Sequence, residues 1–439
     1  MNFDRLRSLL LEQAIRGELV EQQAIDFAVP VPVVDGVLPK ESYPFEIPDH
    51  WKWYPLGKIV EYGKCTQIDS GEISETIWVL DLEDIEKGTG RLLNKKRGTL
   101  TTSNKAKFCK GDVLYGKLRP YLNKVLIADE DGVCTTEIVP ISVVTAKLPL
   151  LAEYLQSYLM SPFFLDYANK ISYGVKMPRL GTKDAKAALI PVPPVEEQAR
   201  IVAKLEEAFS EIDRAEKAYE ELQTLAGVLR GQILQEAIQG KLVPQLAEEG
   251  VVEQIGAALE EVPFEIPESW KWVQLKSIGQ IIGGGTPKTS VADYWNGDIS
   301  WITPADLGKN TSKWILKGAK SITQKGLDES SAKLMPEGSI IYSSRAPIGH
   351  IAIAAHELCT NQGCKSFVPD AQFITTEWAY YMLIARTRDI QSRASGTTFK
   401  EISGKGVGET WVSLPPIAEQ QRIVAKVEEL LKQVDTLSA

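Results

Sequence analysis

The sequence predicts an α+β chain: two mixed α/β domains of one kind, separated by long helices that form an antiparallel coiled coil, with the halves related by a pseudo-twofold internal repeat. Three observations predict it. Blocks of sequence recur about 220 residues apart, apolar residues run at coiled-coil spacing in mid-chain and at the C-terminus, and short β-type runs fill the intervals.

The repeat governs every other reading, so it comes first. Residues 44–53, PFEIPDHWKW, return at 263–272 as PFEIPESWKW, with eight of ten positions identical. Residues 193–206, PPVEEQARIVAKLE, return at 415–428 as PPIAEQQRIVAKVE, with ten of fourteen identical. Residues 6–20, LRSLLLEQAIRGELV, return at 229–243 as LRGQILQEAIQGKLV, with eight of fifteen identical. A period this long is duplication of a whole domain, not a solenoid. In mid-chain the PPxxEQ block runs straight into the LRxxxLxxAIxGxLV block across 193–243; at the ends the two blocks are split between 415–439 and 6–20. The order is that of a cyclic arrangement opened inside one spacer.

The spacers read as helices. Ile201, Leu205, Ala208, Ile212, Ala215, Tyr219, Leu222, Ala226, Leu229 and Ile233 alternate in steps of four and three, the a/d stripe of a coiled coil. Pro193-Pro194 supplies a start and Gly240 a stop. Gly227 and Gly231 each weaken the helix interior by about 1 kcal/mol relative to alanine, which marks a site for a kink. Ile423, Val427, Leu430, Val434 and Leu437 repeat the stripe, and Leu6, Leu10 and Ala14 supply an N-terminal copy. A helix with one apolar stripe needs a partner, and these helices are the natural partners of one another. With Gln198 and Gln420, the residues expected at helix pairing and partner docking are Ile201, Leu205, Ile212, Tyr219, Leu222, Leu229, Ile423, Val427, Leu430 and Val434.

The resulting organisation is an N-terminal helix over 1–24, a first α/β domain over 44–192, a central helical spacer over 193–245, a linker over 246–262, a second α/β domain over 263–412 and a C-terminal helix over 413–439. Inside the domains, Thr76–Leu80, Asp112–Tyr115, Lys124–Ile127, Ser339–Tyr342 and Ile351–Ala354 read as strands. Leu151–Asn169 and Thr376–Arg393 read as helices.

Composition sets limits. The chain has 439 residues, 44% hydrophobic and 24% charged, ordinary for globular domains. The net charge of −9 argues against a free-standing DNA binder, which is usually basic. Charge is uneven, however. Residues 91–111 hold Arg91, Lys95, Lys96, Arg97, Lys105, Lys107 and Lys110 and no acid, and 307–327 hold Lys309, Lys313, Lys317, Lys320 and Lys325 with Asp and Glu equally absent. Basic runs mixed with Ser, Thr and Asn suit a phosphate backbone. The alternative is a solvated basic face; matched runs in both halves favour DNA. Lys117, Arg119, Asn123, Lys176, Arg179, Thr286, Lys288, Arg345, Thr397, Thr398 and Lys400 complete the candidate DNA contacts, the arginines and Asn123 as base readers.

Other chemistry is missing. The GGGTPKTS run at 283–290 lacks P-loop spacing. There is no methyltransferase (N/D)PP(Y/F) segment, and Asp49 with Glu61-Tyr62-Gly63-Lys64 has the wrong spacing for a nuclease. His50, His350 and His356 form no triad, so no catalytic residue is expected. Five cysteines form no CxxC pair, and Cys359 and Cys364 near His350 and His356 match no zinc spacing, so no metal is expected either. The N-terminus has charges where a signal peptide needs an apolar core, and no run is long and apolar enough for a membrane span. A cytoplasmic protein is expected.

Together these residues support a resemblance. The PPxxEQxxI blocks at 193–201 and 415–423, the IxGxLV ends at 15–20 and 238–243, the FEIPxxWxW segments, Gly285-Thr286-Pro287, Tyr294–Trp301 and Gly396-Thr397-Thr398-Phe399 make the chain similar to specificity subunits of Type I restriction–modification systems, over almost its whole length. Gly174-Val175-Lys176-Met177 departs from the GTTF form of the second half. The resemblance implies a non-catalytic subunit in which each α/β domain reads one half of a split site in double-stranded DNA. It further implies that the helices dock two methyltransferase subunits, that restriction subunits join, and that S-adenosylmethionine, ATP and Mg²⁺ are used by those partners and none by this chain. Two alternatives stay open: the DNA-recognition subunit of a related bipartite system, Type IIB-like or phage-defence, and a coiled-coil scaffold with no DNA role.

Overall fold

The computed structural model describes residues 2–28, 31–98, 104–345, 347–396 and 400–438. It divides into two units, Met1–Ala218 and Tyr219–Ala439.

Helix α1 (Phe3–Arg16) opens the first unit. The Asn2 side chain accepts from Arg5 N at 3.0 Å, and the helix ends on Gly17 in the left-handed region, φ 76°. A Cβ on Gly17 would lie 2.5 Å from Pro48 Cγ and 3.2 Å from Trp51. The glycine therefore serves both the turn and the contact with the PFEIPxxW block. Gly240 repeats this arrangement in the second unit, φ 71°, with Pro267 at 2.5 Å and Trp270 at 3.2 Å.

After α2 (Ala24–Ala28) come β1 (Lys52–Pro55), β2 (Gln67–Ile68), β3 (Trp78–Leu80), β4 (Lys96–Arg97) and β5 (Lys105–Phe108). Then follow β6 (Val113–Gly116), β7 (Val125–Ile127), β8 (Gly132–Thr135) and β9 (Ile138–Ile141). Helices α3 (Ala152–Met160) and α4 (Pro162–Ile171) lead to β10 (Leu189–Val192). The sheets run β2-β5-β8-β3-β4 and β7-β6-β9, while β1 and β10 pair antiparallel to close the domain on its own start. The single helix expected over 151–169 is two helices, because Pro162 cannot donate within a helix interior and takes a first-turn position instead. Ser161 Oγ caps the new start, accepting from Phe164 N at 3.3 Å.

Helix α5 (Val195–Ile238) is continuous over 44 residues, through Gly227 and Gly231. Its residues 195–218 belong to the first unit. There Arg7 of α1 meets Asp213 at 2.7 Å and Glu216 at 2.6 Å, and Leu11, one turn on, shares a small cavity with Phe209. The helices thus run antiparallel, with Ile201 and Leu205 buried in the core that holds Leu11, Ala14 and Ile15.

The second unit takes residues 219–238 of α5 and runs through β11 (Lys271–Gln274), β12 (Gly279–Gly283), β13 (Trp295–Ile302), β14 (Trp314–Ile315) and β15 (Lys320–Ile322). It continues with β16 (Ile340–Ser344), β17 (Ile348–Ala354), β18 (Cys359–Thr360), β19 (Lys365–Pro369), α6 (Thr376–Ser392), β20 (Trp411–Leu414) and α7 (Ile417–Ser438). Its sheets run β12-β19-β16-β17-β14 and β15-β13-β18, and β11 pairs with β20 as β1 does with β10. Gln223 donates to the Ser438 carbonyl at 2.6 Å and Arg230 meets Asp435 at 2.7 Å, so α5 and α7 are also antiparallel. Ile233, Leu234, Ala237 and Ile238 share a core with Ile423, Val424, Val427 and Val434.

The residues expected at helix pairing and partner docking fall into three groups. Ile201, Leu205, Ile423, Val427 and Val434 are buried within their own units; Ile212, Tyr219 and Leu430 are half-buried; Leu222 and Leu229 stand exposed. Gln198 and Gln420 do not face outward. Gln198 Oε1 accepts from Leu151 N at 2.9 Å while its amide donates to the Pro149 and Pro193 carbonyls; Gln420 does the same with Thr375 N at 2.8 Å and the Phe373 and Pro415 carbonyls. They are fully buried clamps between spacer and domain.

A candidate nucleic-acid interface

In the first unit the loop 117–123 follows β6. It carries Arg119 at φ 52° and Asn123 at φ 48°, both left-handed and neither glycine. Such a conformation costs about 1–3 kcal/mol per residue and persists only where neighbours enforce it. Here they do. Arg119 N donates to the Pro178 carbonyl at 2.7 Å, Leu180 N to the Lys117 carbonyl at 3.0 Å, and Asn123 Nδ2 to the Met160 carbonyl at 2.9 Å. The hairpin 173–179 is closed by Tyr173 N to Arg179 O at 3.1 Å and the return bond at 2.9 Å. Loop and hairpin form one surface.

That surface gathers Lys117, Arg119 and Lys176, none in an ion pair among the described residues. It also exposes Tyr121, Tyr173, Val175 and Met177. The fourth cation expected here, Arg179, is spent internally: its Nε and Nη2 donate to Glu137 at 3.0 and 2.8 Å. It positions the hairpin and leaves reading to its neighbours.

The basic run 91–111 differs from its sequence reading. Lys95 meets Asp129 at 2.7 Å and lies over the Trp78 ring; Lys96 meets Glu83 at 2.7 Å and Asp84 at 2.9 Å. Arg97 pairs with Glu130 at 2.5 Å, and Lys105 is buried against Asp81 at 2.8 Å. The hydrogen bonds that the Lys96 ammonium donates to Asp84 and Glu83 hold it well above its ordinary pKa. The acids come from 81–84 and 129–130, outside the window in which the run looked uniformly positive. Lys107 and Lys110 are exposed.

The second unit builds a related surface from different residues. Arg345, directly after β16, bridges to Glu401, which pairs in turn with Ser395, as Leu118 bridges to Arg179 in the first unit. Ser395 N and Glu401 N bond each other's carbonyls at 3.1 and 2.8 Å. Thr397 and Thr398 lie outside the described residues; Lys400, beside them, is exposed. The glycine loop is pinned by indoles: Trp301 Nε1 donates to Gly285 O at 2.9 Å and Trp295 Nε1 to Lys288 O at 3.3 Å. Thr286 Oγ1 donates to Gln362 Oε1, next to the turn that holds Arg345. Lys309 and Lys317 are exposed, but Lys313 turns inward to Glu428 on α7 at 2.6 Å and over the Tyr381 ring. Sequence reading missed Glu137, Glu401 and Gln362, which orient the arginines and threonine; no local pattern marks a residue whose partner is distant in sequence.

The family model described as "Type I restriction modification DNA specificity domain" matches residues 48–224 and 267–438. The chain belongs to that family. The two matched stretches are the two halves of the repeat, each ending in its helix. Among the curated relatives of this specificity family, the Type I restriction enzyme MjaIX specificity subunit of Methanocaldococcus jannaschii is 38% identical over 161 residues, 36% of this chain and 37% of the relative. The EcoR124I/EcoR124II specificity subunit of Escherichia coli is 32% identical over 38% of this chain and 41% of its own length. The chain thus spans less than half the length of these relatives at that similarity. The EcoAI specificity subunit of Escherichia coli is 23% identical over 99% of this chain and 90% of the relative. In fold, the chain is similar to one from a solved type I R-M system (TM-score 0.71, 24% identity, 90% of this chain and 93% of that one). The HsdS subunit of Thermoanaerobacter tengcongensis is also similar (TM-score 0.57, 23% identity, 90% and 92%). Among the described residues no helix is long and apolar enough to cross a membrane.

Proposed function

We propose that this chain reads DNA for a Type I restriction–modification complex without performing catalysis itself. Each unit contacts one half of a bipartite site through its loop-and-hairpin surface. One observation carries the reading: in both units the segment after a central strand is bridged to a later stretch of the same unit, Leu118 to Arg179 and Arg345 to Glu401, and an arginine stands there, Arg119 next to the bridge in the first unit and Arg345 within it in the second. Cations without internal partners contact phosphate, and planar or bidentate groups contact base edges. The exposed part of the helices, Leu222 and Leu229 included, docks two methyltransferase subunits, and restriction subunits join them. S-adenosylmethionine, ATP and Mg²⁺ belong to those partners, and flipping of the target base is the partner's chemistry. The net charge of −9 fits a subunit whose partners supply much of the positive channel.

Exchange of residues 54–190 for those of a relative tests this directly. Methylome sequencing of the host should show a split adenine-methylated motif in which one half changes and the other stays. A change in both halves, or in neither, overturns the reading. Loss of no DNA affinity in the assembled complex on removing the chain favours the scaffold instead.

A further inference from the structure

We propose that the first unit binds a divalent transition-metal ion, Zn²⁺ by the chemistry of its donors, at Asp26, His50 and Glu197. The three come from separate segments: α2, the turn before β1, and the first turn of α5. Asp26 is 1% exposed, His50 9% and Glu197 0%. One ligand atom of each lies within 4.8 Å of those of the other two. This departs from the sequence expectation of no metal, because the three residues are not neighbours in sequence.

Each side chain is half committed. Asp26 Oδ2 accepts from Arg200 at 2.6 Å and Gln23 N at 2.7 Å. Glu197 Oε2 accepts from Trp51 Nε1 at 2.9 Å and lies 2.7 Å from His50 Nε2. Asp26 Oδ1, His50 Nδ1 and Glu197 Oε1 are buried with no partner among the described residues. Buried polar atoms without partners are costly unless something answers them. A cation set among the three side chains, in place of the direct His50–Glu197 contact, gives them a common partner, and the existing bonds from Arg200 and Trp51 already orient the carboxylates as outer-shell groups orient metal ligands. One imidazole and two carboxylates suit Zn²⁺ better than Ca²⁺ or Mg²⁺, which favour all-oxygen sites. With Arg200 alongside, the two carboxylates retain one net negative charge for the ion. The Phe27 ring lies 4.5 Å from the His50 ring, tilted by 51°.

The second unit is an internal control. By repeat position, Glu249, Ser269 and Glu419 stand where the first unit has Asp26, His50 and Glu197. Arg422 bonds Glu249 at 2.7 Å and Trp270 bonds Glu419 at 2.8 Å, so the framework is the same. There the second oxygen of Glu419 accepts from Gln245 at 2.6 Å, and Ser269 donates to Gln245 at 2.9 Å. An amide and a hydroxyl therefore complete the site without an ion. The first unit has the matching glutamine, Gln22, but directs it to the Gly17 carbonyl at 3.1 Å. The histidine is not required by the scaffold; it is added where the free oxygens remain. The ion would fasten the segment after α1 to the start of α5.

The test uses the full chain, purified without a polyhistidine tag, and His50→Ser, which installs the second unit's own residue. Elemental analysis should give about one zinc per chain for the wild type and less than about a tenth of that for H50S. Co²⁺ should give a visible d–d band that saturates at about one equivalent, is displaced by Zn²⁺ and is missing from H50S. Chelation should lower the wild-type melting temperature by roughly 3 °C or more and leave H50S unmoved. A wild-type chain that carries no zinc and gives no Co²⁺ band, or an H50S chain that binds either ion equally, overturns the proposal. If H50S does not fold, the wild-type Co²⁺ band and its displacement by Zn²⁺ decide alone.

Discussion

The backbone N–H of Arg119 donates to the carbonyl of Pro178 across 2.7 Å, and this bond ties the left-handed loop after β6 to the hairpin 173–179. The bond uses only main chain, so the guanidinium is left for a ligand. Arg119→Ala should therefore leave folding intact and weaken DNA binding of the assembled complex by about 1–3 kcal/mol, with specificity relaxed in one half-site. Lys176→Ala should weaken binding to all sequences alike and lower the salt slope by about 1. Lys95→Ala and Lys96→Ala, whose ammonium groups are already engaged by acids, should change binding little. Gel shifts over a salt series measure all four; a larger loss from Lys96→Ala than from Arg119→Ala would return the interface to the basic run.

Gly17→Ala and Gly240→Ala should each destabilise by at least about 2 kcal/mol. Each places a Cβ 2.5 Å from a proline ring and forces alanine into positive φ. Denaturant unfolding measures it, and a similar loss at both positions is the expected signature of one repeated joint.

Arg7 sits between Asp213 and Glu216 with its own side chain nearly buried, and Arg230 repeats the pair with Asp435. The acids are partly exposed, so solvent screening limits each pair. Arg7→Ala should cost about 1–2 kcal/mol and expose α1 to protease before the sheets of the same unit. Arg230→Ala, with one acid partner and a more open side chain, should cost less.

These joints explain what was legible in the sequence. Gly17, Pro48 and Trp51 are far apart in the chain but each sits in a duplicated block, so duplication exposed them together. The helix stripe was legible because Ile201, Leu205, Ile423 and Val427 keep one period over many residues. Charge was not. Lys105 looked like a phosphate contact because its acid, Asp81, is brought beside it only by the fold. Gln198 and Gln420 looked like docking residues because the blocks are helical; their hydrogen bonds to the starts of α3 and α6 are tertiary and leave no local trace. The break at Ser161-Pro162 was legible in principle, since proline in a helical run favours a boundary.

Glu249 has a defined pH dependence. The hydrogen bond from Arg422 holds its carboxyl below the ordinary glutamate range, against a smaller effect of burial. A depressed folded-state pKa contributes stability above the unfolded value and loses it as pH falls through the folded value. Glu419, in the same corner, has the opposite sign: burial raises it, so its contribution is present at low pH and lost as pH rises. Glu249→Gln should therefore flatten the acid limb of the second unit's stability curve below the ordinary glutamate pKa and leave the neutral region's slope unchanged. Urea unfolding across pH 3 to 7, roughly the span of carboxylate titration, measures it.

Helix α5 offers the sharpest functional test. Its last ion pair with α1 is at Glu216, and its first bond to α7 is at Gln223. An insertion after Ala218 therefore falls between these two sets of bonds. Seven added residues lengthen the helix by about 10 Å in nearly two whole turns, so facing is almost preserved. If α5 sets the gap between half-sites, the tolerated gap should grow by roughly three base pairs at about 3.4 Å each, with both half-site sequences unchanged. Methylome sequencing of a host that carries the insertion reads gap and halves together. An active complex with the original gap would show that something other than α5 fixes the spacing.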